Sequence, residues 1–188
     1  FIVRDANGVL TAINNRPFNF AFANTDGLDL EMSLRKPTPD WVPALGGGDL
    51  SLRLLATRVF HNNTQTPGEA INENAGEVTS PKWQALAQLT VSKNGWRGFL
   101  QANFRDKYVI DNAYVLGVDI ADNTVESVTY FDARLSKDFK LGSGDVTWSF
   151  SINNLLDRQP PALTVGSFGS RDYDVVGRYF RSSLSFKF

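Results

Sequence analysis

Cysteine is absent from the sequence and histidine occurs once, at His61. The first absence excludes a disulfide framework, a thiolate metal site and a cysteine nucleophile. The second excludes a multi-histidine metal centre. No G-x-S-x-G elbow gives His61 a serine partner, and no paired-carboxylate motif is present. The chain is therefore expected not to be an enzyme and to need no cofactor. An excess of charge is also missing, since 19 Lys and Arg stand against 20 Asp and Glu, a net charge of −1. Such a balance carries no basic footprint for nucleic acid and no polybasic patch for a membrane surface. No apolar run approaches the roughly 18–20 residues that a membrane helix needs. Phe1-Ile2-Val3-Arg4 lacks the regions of a signal peptide and reads as a strand, so Phe1 is not expected to be a native start.

What is abundant is alternation with a period of two. Leu28, Leu30, Met32 and Leu34 oppose Asp29, Glu31, Ser33 and Arg35. From Asp49 to Phe60, Leu50, Leu52, Leu54 and Ala56 oppose Ser51, Arg53, Leu55 and Thr57. Trp83, Ala85, Ala87, Leu89 and Val91 oppose Gln84, Leu86, Gln88, Thr90 and Ser92. Trp96, Gly98, Leu100, Ala102 and Phe104 oppose Arg97, Phe99, Gln101, Asn103 and Arg105. Val125–Asp138 is a less regular strand. Val146, Trp148, Phe150 and Ile152 mark another, and Phe180, Leu184, Phe186 and Phe188 the last. Weaker strands lie near Phe1–Arg4 and Val9–Ile13, around an Asn7-Gly8 turn. Helical spacing is nearest over Pro81–Val91, but Thr and Val content and the turn that follows favour a strand there.

The connections carry as much information as the strands. Lys93-Asn94-Gly95 and Lys140–Asp145 are short, whereas His61–Ser80, Lys107–Thr124 and Leu156–Asp172 are long and rich in Asn, Asp, Gly and Pro. Transmembrane barrels alternate short periplasmic turns with long extracellular loops. The Lys36–Gly48 connection departs from this parity, being longer than a turn and carrying Pro37, Pro39, Trp41 and Pro43. The strands are about 10–12 residues long, which suits a tilted membrane strand better than the usual strand of about 5–6. Their apolar faces are almost free of charge. Aromatic residues sit at strand ends, with Trp83, Phe104 and Tyr108 at an outer interface and Trp96 and Phe188 at an inner one. A soluble sandwich also has one apolar and one polar face, so this alternative stays open.

Two C-terminal motifs resemble a known family. Ser151-Ile152-Asn153-Asn154-Leu155-Leu156-Asp157-Arg158-Gln159-Pro160-Pro161 resembles the NLFDK-x-PP segment of TonB-dependent outer-membrane receptors, with Leu156 in place of the usual Phe. Asp172-Tyr173-Asp174-Val175-Val176-Gly177-Arg178-Tyr179-Phe180 resembles their YDxxGRxxF entry into the last strand. Upstream, Asn24-Thr25-Asp26-Gly27-Leu28-Asp29-Leu30-Glu31 is similar to their xTxGxDxE strand. The resemblance covers essentially the whole chain. It implies an all-β, antiparallel transmembrane β-barrel of which residues 1–188 are about the last 7–9 strands of 22, without a plug domain. It also implies import of a scarce ligand (siderophore, cobalamin or oligosaccharide class) in a bacterial outer membrane. The implied partners are the lipid bilayer, the remaining strands and plug of the same receptor, and the TonB complex reached through the missing N-terminal part; nucleic acid is not among them. Two rival readings are a small self-contained outer-membrane barrel with a structural or adhesive role and a secreted carbohydrate-binding β-sandwich.

Individual residues then take expected places. Tyr108, Tyr114, Phe168, Arg171 and Tyr173 are the loop aromatics and base of the kind that contact a sugar or chelate. Leu184, Phe186 and Phe188 form the membrane-insertion signal. Asp29, Glu31, Arg53, Gln84, Gln88, Arg97, Gln101, Asn103 and Arg105 form a lumen-facing row. Asn153, Asn154, Asp157, Pro160 and Pro161 end a strand at the outer rim, because Asx side chains cap turns and prolines stop pairing. Gly177 and Arg178 open the last strand, and His61 begins a long loop as a solvated side chain. Asp106, Asp111, Asp119 and Asp122 with Asn112 and Asn123 make an oxygen-rich loop whose spacing is not that of an EF-hand, and no metal is expected there. The Gly46-Gly47-Gly48 run lacks the Lys-Ser/Thr of a phosphate loop and reads as a turn.

Overall fold

The structure, a computed structural model, describes residues 2–13, 22–42, 46–161 and 173–187. Among them the regular structure is entirely β. Strands β1 (Ile2–Arg4) and β2 (Leu10–Ile13) form a separate hairpin around Asn7 and Gly8. The main sheet is built from β3 (Phe22–Pro37), β4 (Asp49–Gln65), β6 (Trp83–Lys93), β7 (Trp96–Arg105), β10 (Val128–Leu141), β11 (Gly144–Asn153) and β12 (Tyr179–Lys187). Short β5 (Asn72–Glu73) adds to β4, and β8 (Tyr108–Val109) pairs with β9 (Thr124–Val125). Each long strand lies antiparallel beside its neighbours in the chain, in the order β3-β4-β6-β7-β10-β11-β12. This is an up-and-down meander. Its edges among the described residues are β3 and β12.

Register sorts the side chains of the whole sheet into two faces. One cross-strand row reads Leu34, Leu52, Leu89, Leu100, Ala133, Ile152, Phe180. The next reads Met32, Leu54, Ala87, Ala102, Phe131. The opposite face carries Ser33, Arg53, Gln88, Gln101, Asp132, with Asp29, Thr57, Gln84, Arg105 toward one end. A one-residue slip in any strand would exchange its faces, so seven strands agreeing is a strong constraint. No described element lies over the apolar face, and Leu30, Leu100, Leu135 and Leu184 are 52%, 40%, 43% and 53% exposed. The second sheet that a sandwich needs is not among the described residues.

Turns gather at one end and loops at the other. At the turn end, Asn94 (φ 51°) and Gly95 (φ 76°) form the two-residue link between β6 and β7, the positive-φ pair that matches strand twist. A Cβ on Gly95 would stand 2.7 Å from the Asp138 carbonyl oxygen, so glycine is required. Gly142 and Ser143 link β10 to β11, with Gly144 already in the strand. Residues 38–48 join β3 to β4 in a loop closed at its base by Thr38 N–H to Gly48 O (2.7 Å) and Gly47 N–H to Thr38 O (3.0 Å). Residues 66–82, 106–127 and 154–178 make the three connections at the loop end. The expected alternation of loop lengths is thus observed, including its long exception.

Three expectations differ in detail. The expected Val125–Asp138 strand is two elements, because Thr124 and Val125 leave the sheet to pair with Tyr108 and Val109. His61 lies within β4 rather than in a loop, since the β3–β4 hairpin continues past a bulge at Asp26/Gly27 as far as Phe22 and Gln65. There it pairs with Asp26 through Nδ1 at 2.9 Å. Gly27 permits that bulge, for a Cβ would overlap the Arg58 carbonyl oxygen. Tyr108 does not join the aromatic residues at the end of the apolar face. It is 4% exposed and packs on the side of the polar face, because β7 ends at Arg105 and the chain folds inward after it.

Cations mark both ends of the apolar face. Near the loops, the Arg58 guanidinium lies 5.1 Å from the Trp83 ring and 5.2 Å from the Phe60 ring. Near the turns, Lys137 Nζ lies 5.1 Å from the Trp96 ring. Both basic residues have apolar-face parity, so their stems cover apolar surface while their charges meet aromatic faces.

Candidate functional site

The polar face and the loops above it form the candidate site. Across the sheet, polar side chains join one strand to the next. Arg53 Nε donates to Glu31 Oε1 at 2.9 Å and Thr57 Oγ1 to Asp29 Oδ1 at 2.6 Å. Gln88 Nε2 donates to Gln101 Oε1 at 2.9 Å, and Gln101 Nε2 to Asp132 Oδ2 at 3.3 Å. Thr147 Oγ1 reaches Asp138 Oδ1 at 2.7 Å, and the Ser149 and Ser183 hydroxyls lie 2.8 Å apart. The nine residues expected as a lumen-facing row all fall on this face.

Above the sheet the loops have their own core. Tyr108, Val125, Val128 and Tyr173 are buried, with Val78, Ile110 and Tyr130 packed against them. The Arg105 guanidinium lies 6.0 Å from the Tyr108 ring and 5.8 Å from the Tyr173 ring, tying β7 to two loops. Burial, and then the adjacent Tyr108 hydroxyl, push the Tyr173 phenol well above the ordinary tyrosine range. Loop 66–82 and loop 106–127 are joined by Val109 N–H to Gly76 O at 2.8 Å and by Asn112 N–H to Glu77 Oε1 at 2.9 Å. Burial raises the Glu77 carboxyl, whereas Glu73 is lowered first by the backbone N–H of Asn62 and also by that of Ala75.

The expected ligand-contact residues are distributed unevenly. Tyr108 and Tyr173 meet, but inside the loop core. Tyr114 stands apart at 39% exposure, on a turn that also presents Val115, Leu116 and Val118. That turn is held by Val115 N–H donating to Asp119 Oδ2 at 2.8 Å and by Gly117 N–H donating to Ile120 O at 2.9 Å. Phe168 and Arg171 lie outside the described residues, as does Phe188. Leu184 and Phe186 sit on edge strand β12 with apolar-face parity, opposite Trp148 and Val146. The oxygen-rich loop uses its carboxylates on its own backbone. Asp111 Oδ1 accepts from Ala113 N–H and Asp122 Oδ1 from Thr124 N–H, while Asn123 Oδ1 accepts from Ile110 and Asp111. No group of three metal-ligating side chains converges among the described residues.

The two C-terminal motifs meet in space. Asn154 is 1% exposed and follows β11 directly. Its N–H donates to Asp132 Oδ1 at 3.0 Å, its Nδ2 to Arg158 O at 3.0 Å, and its Oδ1 accepts from Arg158 N–H at 2.8 Å. Asp157 Oδ1 then accepts from Arg178 N–H at 2.9 Å, and Arg178 Nη1 reaches back to Leu155 O at 3.4 Å. Arg178 therefore ties the start of β12 to the turn after β11. Gly177 has φ 78°, and a Cβ there would lie 3.2 Å from Asp157 Oδ1. Gly177→Ala is expected to cost about 1–2 kcal/mol, the usual penalty of a left-handed conformation for an L side chain. Thermal unfolding of the purified protein measures it, and an unchanged midpoint would show that the left-handed conformation of Gly177 carries no such penalty.

The sequence places Asn154 and Asp157 at the turn that ends a strand but carries no sign that Asp157 meets Arg178. The only sequence signal for that contact is the co-occurrence of two turn motifs, since the bonds run to backbone groups. Comparison with family models, with curated proteins and with solved structures gives no match to this chain.

Proposed function

We propose that this chain is the C-terminal part of the β-barrel of a TonB-dependent receptor in a bacterial outer membrane, about the last third of a 22-stranded barrel. One observation carries the reading most directly: a seven-strand meander presents an uncovered, nearly charge-free face whose two ends are marked by aromatic–cation contacts. In hydrocarbon every backbone group of such a sheet must be paired, so lipid on the apolar face implies closure with further strands. The polar face then lines the lumen. The motif resemblance at residues 151–161 and 172–180 supports the same assignment, and the two segments meet at one rim.

In this reading the work of the protein is binding and gated uptake without covalent chemistry. Loops 66–82 and 106–127 and the described ends of the β11–β12 connection face outward and meet the ligand, and the exposed turn with Tyr114 and Val118 is the part of loop 106–127 open to it. The sheet supplies a stiff wall, because side-chain bonds cross its strands on the lumen side. TonB-supplied energy acts through the plug. Strand β12 carries the assembly signal, with Leu184 and Phe186 on the lipid face.

These 188 residues contain no cysteine, so the orientation is testable with single cysteines in a cysteine-free background. Val118→Cys in a loop and Ser143→Cys in a turn are introduced singly into the full-length protein. Intact cells are then treated with a membrane-impermeant maleimide. Val118→Cys is expected to label in intact cells, and Ser143→Cys only after the outer membrane is permeabilised. Equal labelling at both positions in intact cells would overturn the outer-membrane assignment.

A further inference from the structure

On the apolar face of β7, Trp96, Leu100, Ala102 and Phe104 carry side chains and Gly98 carries none. Nothing in the backbone asks for glycine there. Gly98 is not among the residues with positive φ, and a Cβ would find no atom nearer than the Val91 carbonyl oxygen at 4.0 Å. Glycine inside a strand forfeits packing and costs chain entropy, and it often marks the close approach of a ligand. The missing side chain opens a groove of about 540 Å³ on the apolar face, lined by Leu89, Val91, Trp96, Leu100 and Leu135. The turn end of this groove is cationic. One cross-strand row reads Lys93, Trp96, Lys137. Lys93 Nζ donates to Gly46 O, and Lys137 Nζ to Asn94 O at 2.6 Å, so backbone carbonyls hold both ammonium groups at the turns. Among the described residues no carboxylate lies within ion-pair distance of either lysine. The strand acids at this end, Asp49, Asp138 and Asp145, have polar-face parity.

We propose that the Gly98 groove is a binding site for one anionic phospholipid of the phosphatidylglycerol class, with an acyl chain in the groove and the phosphate at Lys93 and Lys137. The inference rests on the proposed barrel reading, in which the apolar face meets lipid. Shape selects the tail. From the Lys93 row to the Leu89 row the groove runs about 13 Å along the strands, comparable to one leaflet of hydrocarbon at about 15 Å. An unbranched chain fills a slot left by a single missing side chain, whereas a folded protein surface would need a projecting side chain in register with it. Charge selects the headgroup. An ammonium group has three N–H donors, so each lysine keeps donors for phosphate oxygens after its bond to a carbonyl. Such charge-assisted bonds are strong, and Trp96 beside them suits the boundary between hydrocarbon and headgroups. The amine of a zwitterionic headgroup finds no acid in this row. A phospholipid whose headgroup carries only the phosphate charge is therefore preferred over one that also carries an amine.

The test reconstitutes the full-length protein in phosphatidylethanolamine vesicles with a trace of photoreactive lipid. The photoreactive group sits in the acyl chain, and the headgroup is phosphatidylglycerol in one arm and phosphatidylethanolamine in the other. After irradiation the labelled peptides are mapped by mass spectrometry, and the yield is read per assembled molecule. Labelling is expected to concentrate at Leu89, Val91, Leu100 and Leu135, about fivefold or more higher with phosphatidylglycerol, as one lysine near an anionic headgroup contributes. Lys93→Gln with Lys137→Gln should remove that excess and keep the labelling by phosphatidylethanolamine. Gly98→Leu, which fills the groove without backbone strain, should lower groove labelling by both lipids. Lys137→Gln alone is the milder variant should the double variant assemble poorly. Equal yields from the two lipids, or an excess insensitive to the lysines, would overturn the headgroup site. Labelling spread evenly over the apolar face would overturn the groove, as would labelling that spares it because another chain covers it. Each of these outcomes leaves the barrel standing. An apolar face labelled by neither lipid would overturn the barrel reading as well.

Discussion

Leu54→Arg and Leu100→Arg should each destabilise the membrane-folded protein by about 2–4 kcal/mol, while Gln101→Arg should cost little. Leu54 and Leu100 occupy neighbouring rows of the apolar face, and Leu100 lies one residue before Gln101 on β7. Two adjacent residues on one strand are thus predicted to differ by orders of magnitude in equilibrium constant. The reason is the solvent on each face. In the proposed barrel a guanidinium near the middle of the apolar row meets hydrocarbon, where its hydration is lost and no partner waits. At Gln101 it replaces one polar group among others, and Asp132 stands beside it as an acceptor. Equilibrium folding into lipid vesicles measures both costs. Equal tolerance at Leu100 and Gln101 would remove the membrane assignment, because a water-exposed sheet tolerates Arg on either face.

The isolated 188-residue chain should fail to form a monodisperse species in detergent. In the main sheet β3 and β12 each lack a neighbour on one side among the described residues. About half of the N–H and C=O groups of an edge strand point away from its only partner. Each unpaired group in hydrocarbon costs several kcal/mol, so the sixteen residues of β3 alone forbid a stable open sheet there. Water offers no remedy, because an exposed apolar face and two free edges invite edge-to-edge association. Size-exclusion chromatography with light scattering, together with heat-modifiable gel mobility, gives the readout. A folded, heat-modifiable monomer of this segment would favour a small self-contained barrel and would overturn the larger one.

Two rows of side chains illustrate what was legible without coordinates. Leu50, Leu52 and Leu54 against Ser51 and Arg53 determine which face of β4 is apolar, because the period of a strand is two. Asn94-Gly95 determines a tight turn, because only such residues accept two positive φ values cheaply. Both are local statements, and both hold in the structure. Tyr108 shows the opposite case. Its position after β7 suggested the end of an aromatic belt, yet it turns inward to meet Tyr173, some 65 positions later in the chain, beside Arg105. Nothing local specifies that meeting, since it depends on three loops arriving at one end of the sheet. The contact of Asp157 and Leu155 with Arg178 is of the same kind, because backbone donors and acceptors have no signature in side-chain chemistry. Arg35, Arg134 and Arg181 are likewise scattered through the sequence, and only register brings them into one cross-strand row of the polar face. The sequence by itself therefore determined strand periodicity, face polarity and connection lengths, which arise from backbone geometry over a few residues. The tertiary structure alone decided which loops share a core and which distant residues share a row, because those depend on the summed register of seven strands.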